Sequence, residues 1–129
     1  MPQRRREQLL RGTLILVGLV SLLAICPLVQ WWPSGWRWHP YNPAYEHMII
    51  GVYATLGLFL LLAARRPERH RSLVLFAGWS SLVHGAVMAM HAARSAAERQ
   101  HFAGDVPALF LAGILLLLLA PAPEVRGAV

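Results

Sequence analysis

Four blocks of apolar residues, separated by short polar stretches, dominate the hydrophobic pattern of this chain. The blocks cover about residues 9–29, 48–64, 72–93 and 106–122, and each is close to the ~20 residues that cross a bilayer as a helix. Connections as short as these place consecutive helices side by side and antiparallel. The pattern therefore predicts one integral membrane domain, residues 1–129, folded as an all-α bundle of four transmembrane helices in up-down-up-down order.

The composition supports this prediction and gives it an orientation. Of the 129 residues 57% are hydrophobic and only 14% are charged, and the length leaves no room for a separate nucleotide-binding or catalytic module. The basic charge is interpreted as a topological signal, so no nucleic-acid partner is expected. All twelve basic residues are arginine. Nine of them, including Arg126, fall on the side of the N-terminus and the 65–71 loop, against three on the other side, so both termini are predicted to be cytoplasmic in a bacterial inner membrane.

The loop at residues 30–47 is unusually aromatic, because it holds four of the five tryptophans together with Tyr41 and Tyr45. Tryptophan and tyrosine favour the headgroup level of a membrane, where the ring is buried and its polar atom remains hydrated. The loop is therefore interpreted as an interfacial anchor. A binding surface for a lipid, a quinone or a pigment is the alternative.

The third block carries the histidine that lies deepest in the membrane, His84. An ionisable side chain at this depth is costly and is a candidate for function by default. Helical periodicity puts it on one stripe with four other residues, Ala77, Ser81, Met88 and His91. Three interpretations stay open: a hydrogen bond to a neighbouring helix, a proton or ion pathway, and a cofactor site formed by His84 with Ser81 and Met88.

The cofactor interpretation is restricted by geometry. His84 and His91 lie roughly 10.5 Å apart along one helix, so they cannot both be axial ligands of one heme. None of the other three blocks has a histidine at the depth of His84. A tetrapyrrole with a single axial histidine, such as a chlorophyll or a heme completed by another ligand, therefore remains possible.

A second group of polar residues is predicted at the outward end of the bundle, near the ends of the second, third and fourth spans. Imidazole and carboxylate groups are ligands of copper and zinc, and they are also common as solvated interfacial residues. Asp105 is additionally a plausible N-cap of the fourth helix. The candidate metal ligands are Glu46, His47, His91, His101 and Asp105, with His39 in the nearby loop.

Several segments resemble a family of small bacterial membrane proteins that is known only as a domain of unknown function. The resemblance covers residues 40–121 and implies four spans, but it brings no activity, substrate or cofactor with it. Glu46, His84 and Asp105 match the family pattern, whereas His91 stands where the family has a glutamine. The matching segments are PAYEHMI at 43–49, YATLG at 53–57, AARRP at 63–67, WSSLVHG at 79–85 and GDVPAL at 104–109.

Taken together, these features favour a non-catalytic role. Ser80 and Ser81 lie near His84, but no third group is available to orient a catalytic histidine. The prediction is a membrane subunit or homo-oligomer that packs against lipids and other membrane helices. The alternatives are a histidine-based cofactor or copper/zinc protein, and a small transporter or proton conductor.

Overall fold

A computed structural model describes residues 1–123, and Arg126 of the arginine count lies outside them. The described chain is helical and contains no strand, which confirms the all-α prediction. Short 3₁₀ segments at Pro67–His70 and Ala96–Ala103 precede the last two α-helices. The α-helices are α1 (Gln3–Trp31, with a π-helical turn at Val20–Ala24), α2 (Pro33–Trp36), α3 (Pro43–Ala63), α4 (Arg71–Arg94) and α5 (Asp105–Leu119).

Three helical segments are long and apolar enough to cross a membrane, namely Gln3–Trp31, Pro43–Ala63 and Pro67–Arg94. The fourth predicted span is different, because α5 has 15 residues and so spans only about 22 Å. It is joined to the 3₁₀ helix Ala96–Ala103 at an angle of 42°. By length and composition the chain therefore has three candidate spans, or four if this bent pair counts as one.

The start of α3 differs from the predicted boundary at residue 48. The Asn42 side chain accepts hydrogen bonds from the backbone N–H groups of Ala44 and Tyr45, at 3.0 and 3.4 Å. Pro43 occupies the first helical position, where its missing N–H costs nothing. The polar residues of the first turn hid this start from the hydropathy pattern, although the Asn-Pro pair is a recognisable helix beginning.

Small residues determine which helices approach one another closely. A Cβ atom on Gly57 of α3 would lie 2.5 Å from the backbone oxygen of Gly18 in α1, and one on Gly78 of α4 would lie 2.7 Å from Leu117 Cγ in α5. In this way α3 packs against α1, and α4 packs against α5. A Cβ atom on Gly51, which also belongs to α3, would meet no described atom within 4 Å.

The consecutive helices α3 and α4 make little contact with each other, so the expectation that every neighbouring pair packs together is wrong here. The close-approach surfaces of both helices are already occupied, since α3 uses Gly57 against α1 and α4 uses Gly78 against α5. A gap remains between α3 and α4, bridged by the short connection at one end.

The two ends of the bundle differ in packing. The end that carries the N-terminus and the 64–70 connection, here called the hairpin end, is filled by wholly buried side chains such as Leu14, Leu60 and Leu116. Arg6 and Arg71 donate hydrogen bonds to the carbonyl oxygens of Ala120 (2.8 Å) and Pro121 (2.9 Å) just after α5. The opposite end, here called the loop end, is formed by residues 32–42 and 95–104 and is more polar.

Candidate functional site: a cavity between α3 and α4

The gap between α3 and α4 forms a partly open cavity of about 620 Å³. All four long helices line it, together with residues from the 36–42 loop. Most of the lining is aliphatic or aromatic. The polar side chains come mainly from the half nearer the loop end, and they include Trp38, Glu46, Tyr53, His84 and Asp105.

The α4 stripe predicted from helical periodicity faces this cavity. The positions of Ser81, His84 and Met88, the residues predicted to bind a cofactor, are all in the lining. Ala77 and His91, the remaining members of the stripe, line it as well. The inward direction of the stripe is therefore confirmed, whereas a cofactor at these residues stays a prediction.

His84 is held by a residue of the facing helix. The Tyr53 hydroxyl of α3 and Nδ1 of His84 form a hydrogen bond, and the centroids of the two rings lie 5.8 Å apart. The interpretation that His84 bonds a neighbouring helix is thus confirmed. Within the described residues no second hydrogen bond reaches the His84 ring, so its Nε2 is available to a molecule in the cavity.

A buried polar cluster closes the loop end above this pair. His101 is wholly buried, with Nδ1 2.8 Å from Asp105 Oδ1 and Nε2 3.1 Å from the carbonyl oxygen of Arg37. The Trp38 ring stacks on the imidazole at a centroid distance of 3.9 Å. Its indole N–H donates to the other Asp105 oxygen at 2.9 Å. The long aromatic loop is thereby fastened to the beginning of α5.

Glu98 extends the same cluster towards the surface. It is almost fully buried, and its Oε1 accepts hydrogen bonds from the backbone N–H of His39 (3.1 Å) and contacts His39 Nδ1 (3.0 Å). Oε2 lies 3.0 Å from His101 Nε2. The N–H at that nitrogen is directed to the Arg37 carbonyl instead, so Oε2 accepts no hydrogen bond from the described residues.

An ion pair at the edge of the cavity secures the loop to α3. Arg37 donates two hydrogen bonds to the Glu46 carboxylate, at 2.8 and 3.0 Å, and its guanidinium lies 4.4 Å from the centre of the Tyr41 ring. The hydrogen bonds that Arg37 donates to Glu46 raise the pKa of Arg37 above its ordinary value. Arg37 therefore remains charged, and its charge is neutralised by Glu46.

The five candidate metal ligands are not gathered into one site. His101 and Asp105 contact each other, Glu46 is engaged by Arg37, and His47 and His91 are exposed. Among residues 1–123 there is no group of three or more histidine, cysteine, aspartate or glutamate side chains that could hold a metal ion. Asp105 is not an N-cap either, because it is the first residue of α5 and its carboxylate turns to His101 and Trp38.

Sequence reasoning missed Glu98, Trp38 and Tyr53 as parts of the site. Glu98 could have been found, since Glu98, His101 and Asp105 follow one another at spacings of three and four residues, which places them on one face of a helix. Tyr53 offered no such signal, because it meets His84 across 31 positions of the chain.

The helices and the cavity define a small all-helical protein, with several helices apolar enough to cross a membrane and a partly open, largely apolar cavity that is polar near the loop end. The chain belongs to a family of unknown function (DUF6632), whose sequence profile matches residues 5–128. The match extends beyond residues 40–121, the range of the resemblance seen in the sequence, in both directions. The first helix therefore lies within the region that the family shares. No match was found among curated proteins or solved structures.

Proposed function

We propose that this protein binds a neutral amphiphilic small molecule in the cavity between α3 and α4. The observation that carries the proposal is the cavity itself, which combines a mainly apolar lining with hydrogen-bonding groups concentrated towards the loop end. This combination of an apolar body and a few polar contacts is typical of small-molecule sites. An apolar tail would lie among the aliphatic side chains, and a polar head would meet Tyr53, His84 and Asp105.

The charges around the cavity favour a neutral head group. No described residue in the lining is an arginine, whereas Glu46 and Asp105 are both in it. A phosphate or carboxylate head would therefore lack an unpaired cationic partner in the lining, and it would face the Asp105 carboxylate instead. A hydroxyl or carbonyl head can bond to the His84 ring. Trp36 also lines the cavity, and its buried indole N–H has no acceptor among the described residues.

We also propose an orientation in the membrane, which is based on the distribution of the arginines. We place both termini in the cytoplasm of a bacterial inner membrane, with the bent pair Ala96–Ala103 and α5 acting as the fourth span. In this arrangement the loop end and the polar part of the cavity lie on the outer side. The cavity then opens sideways between α3 and α4, towards the lipid.

A second candidate function is that of a membrane subunit or homo-oligomer. The same gap between α3 and α4 that admits an amphiphile could receive a helix from a partner subunit or from a second copy. Outward apolar side chains such as Phe76 and Leu118 suit lipid and protein neighbours equally. The gap between α3 and α4 is the feature that would specify where a partner helix binds, since the exposed apolar side chains alone specify no position.

Native mass spectrometry of the protein released from lipid nanodiscs tests the proposal. The probes are decylubiquinone, which has a neutral ring, and dodecyl phosphate, which has an anionic head. We expect decylubiquinone to bind one molecule per chain and dodecyl phosphate to bind at least about tenfold more weakly, a difference of about 1.4 kcal/mol. Equal retention of both probes, or of neither, would contradict the proposal, and a stable dimer that excludes both would favour the second candidate.

A matched pair of variants locates the binding. Ala108 lines the cavity, whereas Ala86 is an exposed residue of α4 outside its lining. Ala108→Phe should fill part of the cavity and weaken decylubiquinone binding about tenfold or more, while Ala86→Phe should leave it unchanged. Equal effects of the two variants would place the probe elsewhere on the protein.

A further inference from the structure

We infer that His39, Glu98, His101 and Asp105 form a proton relay between the surface of the loop end and the cavity. The inference rests on the proposed function in one respect, since a molecule in the cavity would supply or take up the proton. The relay itself is defined by the protein and can be tested without any ligand.

The relay joins two neighbouring spaces, whose linings share Trp38, Pro40 and His91. A second, more open cleft of about 430 Å³ lies at the loop end, and His39 and Glu98 are in its lining. Asp105 lines the cavity between α3 and α4. His101 is wholly buried and contacts both Glu98 and Asp105. The four side chains therefore lead from an outer cleft, through a buried imidazole, to the polar part of the cavity.

Each step of the relay is within hydrogen-bonding distance. His39 Nδ1 lies 3.0 Å from Glu98 Oε1, Glu98 Oε2 lies 3.0 Å from His101 Nε2, and His101 Nδ1 lies 2.8 Å from Asp105 Oδ1. The exposure of the side chains falls along the first part of this path, from 59% at His39 to 7% at Glu98 and 1% at His101. Water thus reaches the entrance of the relay but not its centre.

The hydrogen-bonding partners of His101 specify how a proton would move. The Arg37 carbonyl can only accept a hydrogen bond, so Nε2 of His101 carries a hydrogen and Nδ1 is left to share a proton with Asp105. Oε2 of Glu98 accepts no hydrogen bond in this arrangement, but it lies 3.0 Å from the same Nε2, close enough to receive its hydrogen in a transfer. A buried carboxylate oxygen without a partner is costly, and a transferred proton would satisfy it.

The outward transfer is balanced at each atom. A donor in the cavity protonates Asp105, Asp105 passes a proton to Nδ1 of His101, and the Nε2 hydrogen of His101 moves to Oε2 of Glu98. The Glu98 carboxyl group then rotates so that its protonated oxygen faces Nδ1 of His39, and it passes the proton to that nitrogen and becomes a carboxylate again. His39, which is exposed, releases a proton to water. One proton enters and one leaves, and His101 is left with its hydrogen on Nδ1. A half-turn of the imidazole about its Cβ–Cγ bond exchanges the places of the two nitrogens and restores a hydrogen directed to the Arg37 carbonyl before the next transfer. The inward transfer follows the same atoms in reverse.

The relay ends at the cavity and does not continue through the bundle. Towards the hairpin end the cavity is lined by the wholly buried Leu60 and Leu116, which belong with Leu14 to one buried apolar cluster. These side chains offer no proton-carrying atom. Such a relay exchanges protons with one side only, unlike the conducting path of a proton channel.

Deuterium exchange of the His101 ring N–H tests the relay. Protein labelled with nitrogen-15 histidine, in lipid nanodiscs without added ligand, is moved into D2O and followed by NMR. We expect Glu98→Gln to slow the exchange by about tenfold or more, because an amide cannot accept and pass on a proton. Glu68→Gln, at an exposed position of the 64–70 connection, should leave the rate unchanged.

The entrance offers an independent variant, His39→Gln, which should also slow the exchange without disturbing the buried centre. If Glu98→Gln fails to fold, the comparison of His39→Gln with Glu68→Gln decides the matter. Exchange rates equal to that of the unaltered protein in the folded relay variants would overturn the inference. Relay-dependent exchange in a protein that binds no amphiphile would refute the proposed function alone, and binding without relay-dependent exchange would refute the relay alone.

Discussion

At the scale of single residues, Asp105 connects two segments that are far apart in sequence. One of its carboxylate oxygens is paired with His101 at 2.8 Å, and the other accepts from the indole of Trp38 at 2.9 Å. Asp105 itself is almost fully buried. Both partners would be left with an unpaired polar group in a buried place if this carboxylate were removed.

Asp105→Ala should therefore lower the free energy of unfolding by about 3 kcal/mol, since two hydrogen bonds in a buried site are lost together. Denaturant titration in mild detergent, followed by circular dichroism, measures this change. Glu68→Ala is the matched control, because Glu68 is exposed, and it should change stability by no more than about 0.5 kcal/mol. Similar losses in both variants would show that Asp105 does not organise the loop end.

At the scale of helices, the contact between α1 and α3 depends on the absence of side chains. Gly57 lies directly against the backbone of α1, and a Cβ atom there would be 2.5 Å from Gly18 O and 2.7 Å from Leu22 N. Backbone atoms cannot move aside as the end of a flexible side chain can. Small residues that let two helix backbones approach are characteristic of packing within membranes.

Gly57→Ala should destabilise the protein by about 2 kcal/mol, because the added methyl group forces α1 and α3 apart. Gly51→Ala makes the same change on the same helix where no described atom lies within 4 Å. It should be neutral or stabilising by up to about 1 kcal/mol, the difference in helix propensity. Thermal unfolding of the two variants side by side gives the comparison, and equal melting temperatures would contradict the proposed close contact.

At the scale of the whole molecule, the two ends of the bundle have opposite characters. The hairpin end is apolar inside and closed by Arg6 and Arg71, which bond to carbonyl oxygens after α5. The loop end holds the second cleft, the polar part of the cavity and the buried cluster of Glu98, His101 and Asp105. In the proposed relay, the compartment that the loop end faces is the one that exchanges protons with the cavity.

Reporter fusions after Arg66 and after Arg99 test that orientation in a bacterial host. The excess of arginine at the hairpin end predicts a cytoplasmic signal from the first fusion and a periplasmic signal from the second. The reverse pattern would place the loop end and its relay in the cytoplasm. Two signals from the same side would show that Pro67–Arg94 does not cross the membrane.

Much of this protein was determined by local properties that can be read from its sequence. The helices follow from runs of apolar residues bounded by Pro, Asn and Arg, and the inward direction of the His84 stripe follows from a period of 3.6 residues. Membership of an uncharacterised family was also visible in short segments such as WSSLVHG and GDVPAL. These features depend on neighbours a few positions apart, so they need no knowledge of which helices meet.

Only the tertiary structure decided which helices pack and which polar atoms meet. The glycines of α3 and α4 lead these helices to α1 and α5 rather than to each other, and the cavity is the space that remains. Tyr53 meets His84 across 31 positions and His39 meets Glu98 across 59. The sequence placed five candidate metal ligands at one level, but burial and pairing separate them, because each polar group takes the partner that the packed helices bring within reach.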